Sequence, residues 1–172
     1  KHIDIIVPKS VTIAEINEIL KNIVRTSSFT RYEEQERHYS QIPKAHFKLF
    51  YESPFDQSEV YVLLDVLFEE NPYSRLDSTD IVCPFIDTIP PNVTVKVPSI
   101  ADILGDKLTA FAPNTTGILY DKEKEMEIIK QLFDIESLFD QLSTTNGVKD
   151  TFIRCAEQEL NYRQLTEMNY EN

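Results

Sequence analysis

The sequence predicts an α+β fold, in which a mixed sheet with flanking helices is followed by a helical C-terminal half. In the first half of the chain, apolar residues run continuously or alternate with polar ones, which is typical of β-strands. After Pro98 they recur at helical spacing. Hydrophobic residues make up 41% of the 172 residues, which is enough to build a core. We therefore expect a sheet domain over residues 1–97 and a helical domain over residues 98–172.

The first half is expected to contain a strand, a helix and then three further strands. Ile3–Val7 is a short apolar strand, and the helix after it begins at Thr12, because Thr12 and Glu15 have the spacing of a capping box. Polar and aromatic residues suit an edge strand over 27–39. The next two strands, from Ala45 and over 59–68, are expected to pair as a hairpin.

The second half follows a loop at 71–78 and a proline-rich connector that holds a short strand at 93–97. The first helix begins at Ser99, which forms a second box of the capping type with Asp102. Three helices are expected, over residues 99–111, 124–142 and 148–165. The long middle helix is expected to pack through an apolar stripe of Ile128, Leu132, Ile135, Phe139 and Leu142.

Composition excludes several classes of protein. Acidic side chains number 29 against 17 basic ones, a net charge of −12, whereas a protein that coats nucleic acid needs a cationic face. The three glycines are not clustered as a Walker loop or a Rossmann fingerprint requires. The longest apolar run, Val60–Phe68, is far shorter than the roughly 20 residues of a membrane span. We therefore expect no membrane partner and a cytoplasmic protein.

Cysteines and histidines give no metal-binding spacing. Cys83 and Cys155 lie far apart, which excludes structural zinc and predicts two buried, reduced thiols. His2, His38 and His46 are scattered, and each is expected to be an ordinary surface or core residue.

Two carboxylates on predicted strands are candidates for metal binding. Asp65 interrupts a strand that is apolar on both faces, and an unpaired buried carboxylate costs several kcal/mol, so the side chain must be paired, hydrated or bound to an ion. Asp4 lies within the strand Ile3–Val7. If the two carboxylates face one cleft, they could hold Mg²⁺, which prefers oxygen ligands. A structural salt bridge at Asp65 is the alternative.

Charged residues on the predicted helices form the second group of candidates. Lys107 lies within or at the edge of an apolar stripe, so its ammonium group either reaches the rim of the core or is held towards a phosphate site. Lys130 and Asp134 are four residues apart on the face opposite the apolar stripe of the long helix. Their simplest interpretation is a solvated ion pair.

Two segments carry a resemblance to a known family. Residues 99–111, Ser-Ile-Ala-Asp-Ile-Leu-Gly-Asp-Lys-Leu-Thr-Ala-Phe, and residues 127–135, Glu-Ile-Ile-Lys-Gln-Leu-Phe-Asp-Ile, resemble motifs of the AbiEii/AbiGii toxin family of nucleotidyltransferases. Ala-Pro-Asn-Thr-Thr-Gly at 112–117 and the following Tyr120 strengthen the match. The family has the polymerase-β-like nucleotidyltransferase fold, and residues 1–97 would form part of its sheet domain.

The resemblance implies transfer of a nucleotide from a nucleoside triphosphate to an acceptor, in some relatives the 3′ end of tRNA. Several members are toxins of bacterial toxin–antitoxin or phage-defence systems, so a cognate antitoxin is an expected partner. By the same resemblance, Asp4 and Asp65 would bind Mg²⁺, Lys107 would contact phosphate, and Asp134 would be a supporting or base-like group.

The chain departs from the family pattern at its start. The family's Gly-Ser turn is absent before Asp4, which, with the start at Lys1, predicts an N-terminally truncated chain that is inactive alone. His2 stands where the family has the first Asp of its Asp-x-Asp pair, which puts two-metal chemistry in question. Two alternatives stay open: a nucleotide- or protein-binding module that lost catalysis, and a structural or partner-binding domain in which Asp65 and Lys107 pair with other charges.

Overall fold

The computed structural model describes residues 2–35, 42–82, 88, 90–113, 115–120, 122–165 and 167–168. The chain divides by packing into two compact units, residues 1–71 and 72–172. The predictions for His38 and Cys83 lie outside the described residues. The domain boundary at residue 97 stays a prediction; by packing, residues 72–97 belong to the second unit.

The first unit is built on a mixed sheet of four strands with the order β1-β4-β3-β2. β1 runs parallel to β4, and the two other pairings are antiparallel. The elements are β1 His2–Val7, α1 Ile13–Thr26, β2 Phe29–Gln35, β3 Lys44–Glu52 and β4 Glu59–Phe68. The predicted fold class is confirmed, including the edge position of β2 and the hairpin of β3 with β4.

Helix α1 packs against one face of this sheet. Thr12 and Glu15 form the complete capping box, since Thr12 N–H donates to Glu15 Oε2 at 2.8 Å and Glu15 N–H donates to Thr12 Oγ1 at 3.2 Å. The buried core of the unit consists of Ile16, Leu20, Ala45, Phe47, Leu49 and Val66. Because side chains alternate along a strand, the residues between these core positions point to the opposite face.

The described residues of the second unit form a two-stranded antiparallel sheet and three helices. The elements are β5 Leu76–Asp80, β6 Thr94–Pro98, α2 Ile100–Leu108, α3 Glu125–Gln141 and α4 Val148–Tyr162, with a 3₁₀ turn at Thr109–Phe111 after α2. The loop predicted at 71–78 is therefore partly wrong, because β5 begins at Leu76. Its polar sequence, Leu-Asp-Ser-Thr-Asp, does not predict a strand, but the pairing with β6 stabilises one. Among the described residues, no helix is long and apolar enough to cross a bilayer.

Asp102 joins α2 to the rest of the second unit. Its side chain is 1% exposed and accepts hydrogen bonds from Ser74 N–H at 2.9 Å, Arg75 N–H at 3.1 Å, Ser99 Oγ at 2.6 Å and the Thr151 hydroxyl. Ser99 caps α2 as predicted, but the second half of the predicted box is wrong. The Asp102 carboxylate bonds the Ser99 hydroxyl and the 74–75 backbone, while Ser99 N–H donates to Arg75 O. Burial raises the pKa of Asp102, but these donors outweigh burial and hold the pKa far below its ordinary value.

Helix α3 packs through a face that includes only part of the predicted apolar stripe. Ile135 is buried as expected, but Leu132 is 58% exposed and Phe139 is 52% exposed, so those two positions of the predicted stripe are wrong. Gln131 and Asp134 both accept hydrogen bonds from Lys107 on α2. These polar contacts turn that side of α3 towards α2 and leave part of its apolar surface exposed.

Candidate functional site

Asp4 and Asp65 lie side by side on the face of the first sheet that is opposite α1. Asp65 is on β4 between β1 and β3, with Asp4 as its partner in the parallel pairing and His46 as its partner in the antiparallel pairing. Residues directly opposite one another share a face, and His2, two residues before Asp4, shares it too. The sheet therefore brings two carboxylates and two imidazoles together.

The Asp65 carboxylate is held between the two histidines. His46 Nδ1 lies 2.7 Å from Asp65 Oδ1, and His2 Nε2 lies 3.3 Å from Asp65 Oδ2 and 3.5 Å from Asp4 Oδ1. Burial raises the pKa of Asp65, but the hydrogen bond and charge of His46 and then of His2 outweigh it, so the net pKa lies below its ordinary value. Asp65 is thus ionised at neutral pH, although its side chain is only 14% exposed.

The donor set of this cluster fits a divalent cation. One donor atom each from His2, Asp4 and Asp65 lies within 4.8 Å of the others. Ligands at about 2.1 Å from one ion are separated by about 3 to 4 Å, and the distances of 3.3 and 3.5 Å from His2 Nε2 fall in that range. His2 and Asp4 are exposed, which leaves room for water or substrate to complete the coordination.

Lys107 and Asp134, the site residues predicted on helices, form an ion pair in the second unit. Lys107 Nζ lies 2.9 Å from Asp134 Oδ2 and donates a further hydrogen bond to Gln131 Oε1 at 3.0 Å. Both charged side chains are about one-third exposed, at 32% and 30%. The interpretation of Asp134 as the partner of Lys130 is wrong, because Asp134 faces α2 and bonds Lys107.

An open cavity of about 800 Å³ lies beside this pair. Four cationic side chains line it, and two carboxylates, Asp106 and Glu159, offset them in part. The cationic residues are Lys107, Lys122, Lys124 and Arg163. Arg163 also donates a hydrogen bond to Thr116 O at 2.7 Å, which fixes its guanidinium group at the wall. In a protein with a net charge of −12, this cavity is a local concentration of positive charge suited to an anionic ligand.

The whole described chain matches one family. A family model described as nucleotidyl transferase AbiEii toxin, type IV toxin–antitoxin system, matches residues 2–172. The chain belongs to the AbiEii family. No curated protein matches it in a sequence comparison. Membership gives this AbiEii chain a nucleotidyltransferase-type toxin role and implies a nucleotide substrate, an antitoxin counterpart and, in general for such transferases, a divalent metal.

Sequence reasoning missed one residue of the cluster in the first unit and one residue of the cavity in the second unit. His46 is expected from the sequence to be an ordinary residue, but it forms a hydrogen bond with Asp65. The register of the β3–β4 hairpin, which pairs Glu52 with Glu59, also places His46 opposite Asp65. That register is the feature from which this contact could have been predicted. Arg163 reaches the cavity from the end of α4, and no motif marked it. Asp65 pairs with His46, and Lys107 pairs with Asp134, as the structural alternative expected.

Proposed function

We propose that this AbiEii-family protein transfers a nucleotide from a nucleoside triphosphate to a hydroxyl group of an acceptor, with cleavage of the α–β phosphoanhydride bond and release of pyrophosphate, and with a divalent metal ion held by Asp4 and Asp65. The observation that supports the proposal best is the convergence of Asp4, Asp65 and His2 donor atoms on one face of the sheet. The ion expected from the family is Mg²⁺, and the acceptor expected from its relatives is the 3′ end of tRNA.

In this proposal the first unit supplies the metal ligands. Asp4 and Asp65 would hold this ion, which when bound would neutralise triphosphate charge and lower the pKa of the attacking hydroxyl. Asp4 and Asp65 supply the carboxylate oxygens, and the low pKa of Asp65 keeps its oxygens deprotonated without competition from a proton. His46 fixes the Asp65 carboxylate through its 2.7 Å hydrogen bond, so the group enters the reaction already oriented.

Lys107, which lies in the second unit, is the proposed phosphate contact. Lys107 would donate to a phosphate oxygen, and Lys122 and Lys124, which line the same cavity, would add positive charge. Asp134 accepts a hydrogen bond from Lys107, so its proposed role is to hold the ammonium group in place rather than to act as a base. We further propose that the protein acts in the cytoplasm as the toxin of an antitoxin pair.

The second candidate function is a nucleotide-binding module that does not catalyse transfer. The observation in its favour is His2, which provides a nitrogen donor at the position where the family pattern has an Asp. The loss of one carboxylate would weaken a two-metal arrangement while leaving the cation-lined cavity intact.

A labelling assay distinguishes the two functions. The purified protein is incubated with α-³²P-labelled nucleoside triphosphates, divalent metal and total tRNA, and label in RNA is measured. We expect transfer by the wild-type protein in its full-length form, its loss in Asp65→Asn and its retention in Glu34→Gln, which removes an exposed carboxylate on β2 outside the cluster. Nucleotide binding without label in any RNA would support the binding module, and transfer undiminished in Asp65→Asn would contradict the metal role.

A further inference from the structure

The imidazole of His2 changes which metal ion the cluster should select. We propose that the cluster of His2, Asp4 and Asp65 binds a divalent first-row transition ion, with Mn²⁺ and Zn²⁺ as representatives, in preference to Mg²⁺. This inference rests on the proposed function for the use of the metal in nucleotide transfer. The preference itself belongs to the donor set and is measurable without any nucleotide.

His2 Nε2 is close enough to both carboxylates to coordinate the same ion directly. This atom lies 3.3 Å from the Asp65 carboxylate and 3.5 Å from the Asp4 carboxylate, so an ion bound by both carboxylates lies within reach of the imidazole. Mg²⁺ takes oxygen ligands almost exclusively and loses its waters reluctantly. Imidazole nitrogen favours transition ions, whose affinity for mixed nitrogen and oxygen sites rises from Mn²⁺ towards Cu²⁺.

The surroundings of the cluster favour one ion with several open coordination positions. Asp65 is fixed by His46 through its Oδ1, which leaves Oδ2 directed towards His2. Asp4 is 73% exposed and His2 is 47% exposed, so these side chains can adjust to the ion, and solvent or a phosphate can complete its coordination. A rigid carboxylate beside two adjustable donors is an arrangement that accepts the variable geometry of Mn²⁺ or Zn²⁺.

Direct metal titration tests the preference. Metal-free protein is titrated with Mn²⁺ and followed by electron paramagnetic resonance of the free ion, and Mg²⁺ and Zn²⁺ are then added as competitors. We expect Mn²⁺ to bind at least about tenfold more tightly than Mg²⁺ and Zn²⁺ to displace Mn²⁺. His2→Ala should weaken Mn²⁺ binding at least about tenfold, and His2→Asp should bring the affinities for Mn²⁺ and Mg²⁺ closer together.

Matched variants show whether the ion occupies this cluster. Asp4→Asn and Asp65→Asn should each weaken Mn²⁺ binding, whereas Glu34→Gln should leave it unchanged; circular dichroism checks that each variant is folded. Equal affinity for Mg²⁺ and Mn²⁺ in the wild type would overturn the inference, as would His2→Ala with unaltered Mn²⁺ binding. Because no acceptor or nucleotide is present, loss of transfer activity in the labelling assay and failure of the metal preference are separate results.

Discussion

His46 and Asp65 lie directly opposite each other on β3 and β4, and a hydrogen bond of 2.7 Å joins Nδ1 of the imidazole to Oδ1 of the carboxylate. Both side chains are largely buried, at 12% and 14% exposure. The pair explains how the strand tolerates a carboxylate among apolar residues, since the charge is hydrogen-bonded. It also leaves Oδ2 of Asp65 directed towards His2. The hydrogen bond with His46 therefore stabilises the buried carboxylate and orients it for the proposed metal site.

Replacement of His46 should therefore affect both stability and metal binding. We expect His46→Ala to lower the free energy of unfolding by about 1–3 kcal/mol, because it leaves the Asp65 charge with one partner fewer. The same variant should weaken Mn²⁺ binding about tenfold. His46→Asn keeps a donor near the Nδ1 position and should recover part of both losses. Urea unfolding and Mn²⁺ titration measure the effects, and unchanged Mn²⁺ affinity in His46→Ala would show that His46 does not position Asp65.

Lys107 should matter for nucleotide binding more than for stability. Its ion pair with Asp134 is about one-third exposed, so Lys107→Met should change the free energy of unfolding by no more than about 1 kcal/mol. If Lys107 contacts phosphate, the variant should lose about tenfold or more in affinity for a fluorescent nucleoside triphosphate. Lys130→Met removes an exposed lysine of α3 and is the control. Equal affinities of the two variants would count against the phosphate role.

Asp102 should stabilise the second unit at neutral pH and lose this effect in acid. Its pKa is lower in the folded state than in the unfolded state, so its contribution is present above a pH of about 4 and is lost as the pH falls through the folded pKa. Asp102→Asn should cost about 3 kcal/mol at pH 7, because the buried donors lose a charged acceptor. The difference from the wild type in urea unfolding should shrink as the pH is lowered below about 4. A difference that is independent of pH would contradict this account of Asp102.

Gly105 allows the close approach of α2 to α4. A Cβ atom at this position would lie 2.5 Å from Val148 O and 3.0 Å from Phe152 N, both backbone atoms that cannot move independently of α4. Gly105→Ala should therefore destabilise the protein by about 1–3 kcal/mol. In an exposed helix the same change stabilises by about 1 kcal/mol. The sign measured by thermal or urea unfolding thus decides between close helix packing and an open surface.

Much of the first unit could be predicted because local patterns agree with its tertiary contacts. The alternation in β3 and the apolar run of β4 identify a hairpin, and Thr12 with Glu15 marks the start of α1. Asp65 was a candidate because its charge conflicts with its strand. The same hairpin register pairs His46 with Asp65. The sequence around His46 does not indicate this contact, so the contact can be predicted only once the register is known.

The second unit was predicted less well because long-range polar contacts determine its packing. Asp102 was assigned to a capping box, whereas its carboxylate bonds the backbone at 74–75 and the hydroxyl of Thr151 on α4. Asp134 was paired with its sequence neighbour Lys130, although Lys107 on another helix binds it. Spacing within one helix cannot reveal which partner a second helix brings.

Anomalous diffraction from crystals grown with Mn²⁺ tests the central claim most directly. The account predicts a manganese peak at about 2.0–2.2 Å from a carboxylate oxygen of Asp4, a carboxylate oxygen of Asp65 and Nε2 of His2. Crystals of Asp65→Asn grown in the same way should lack this peak. A wild-type crystal saturated with Mn²⁺ that has no peak at these three side chains would contradict the assignment of Asp4 and Asp65 as metal ligands.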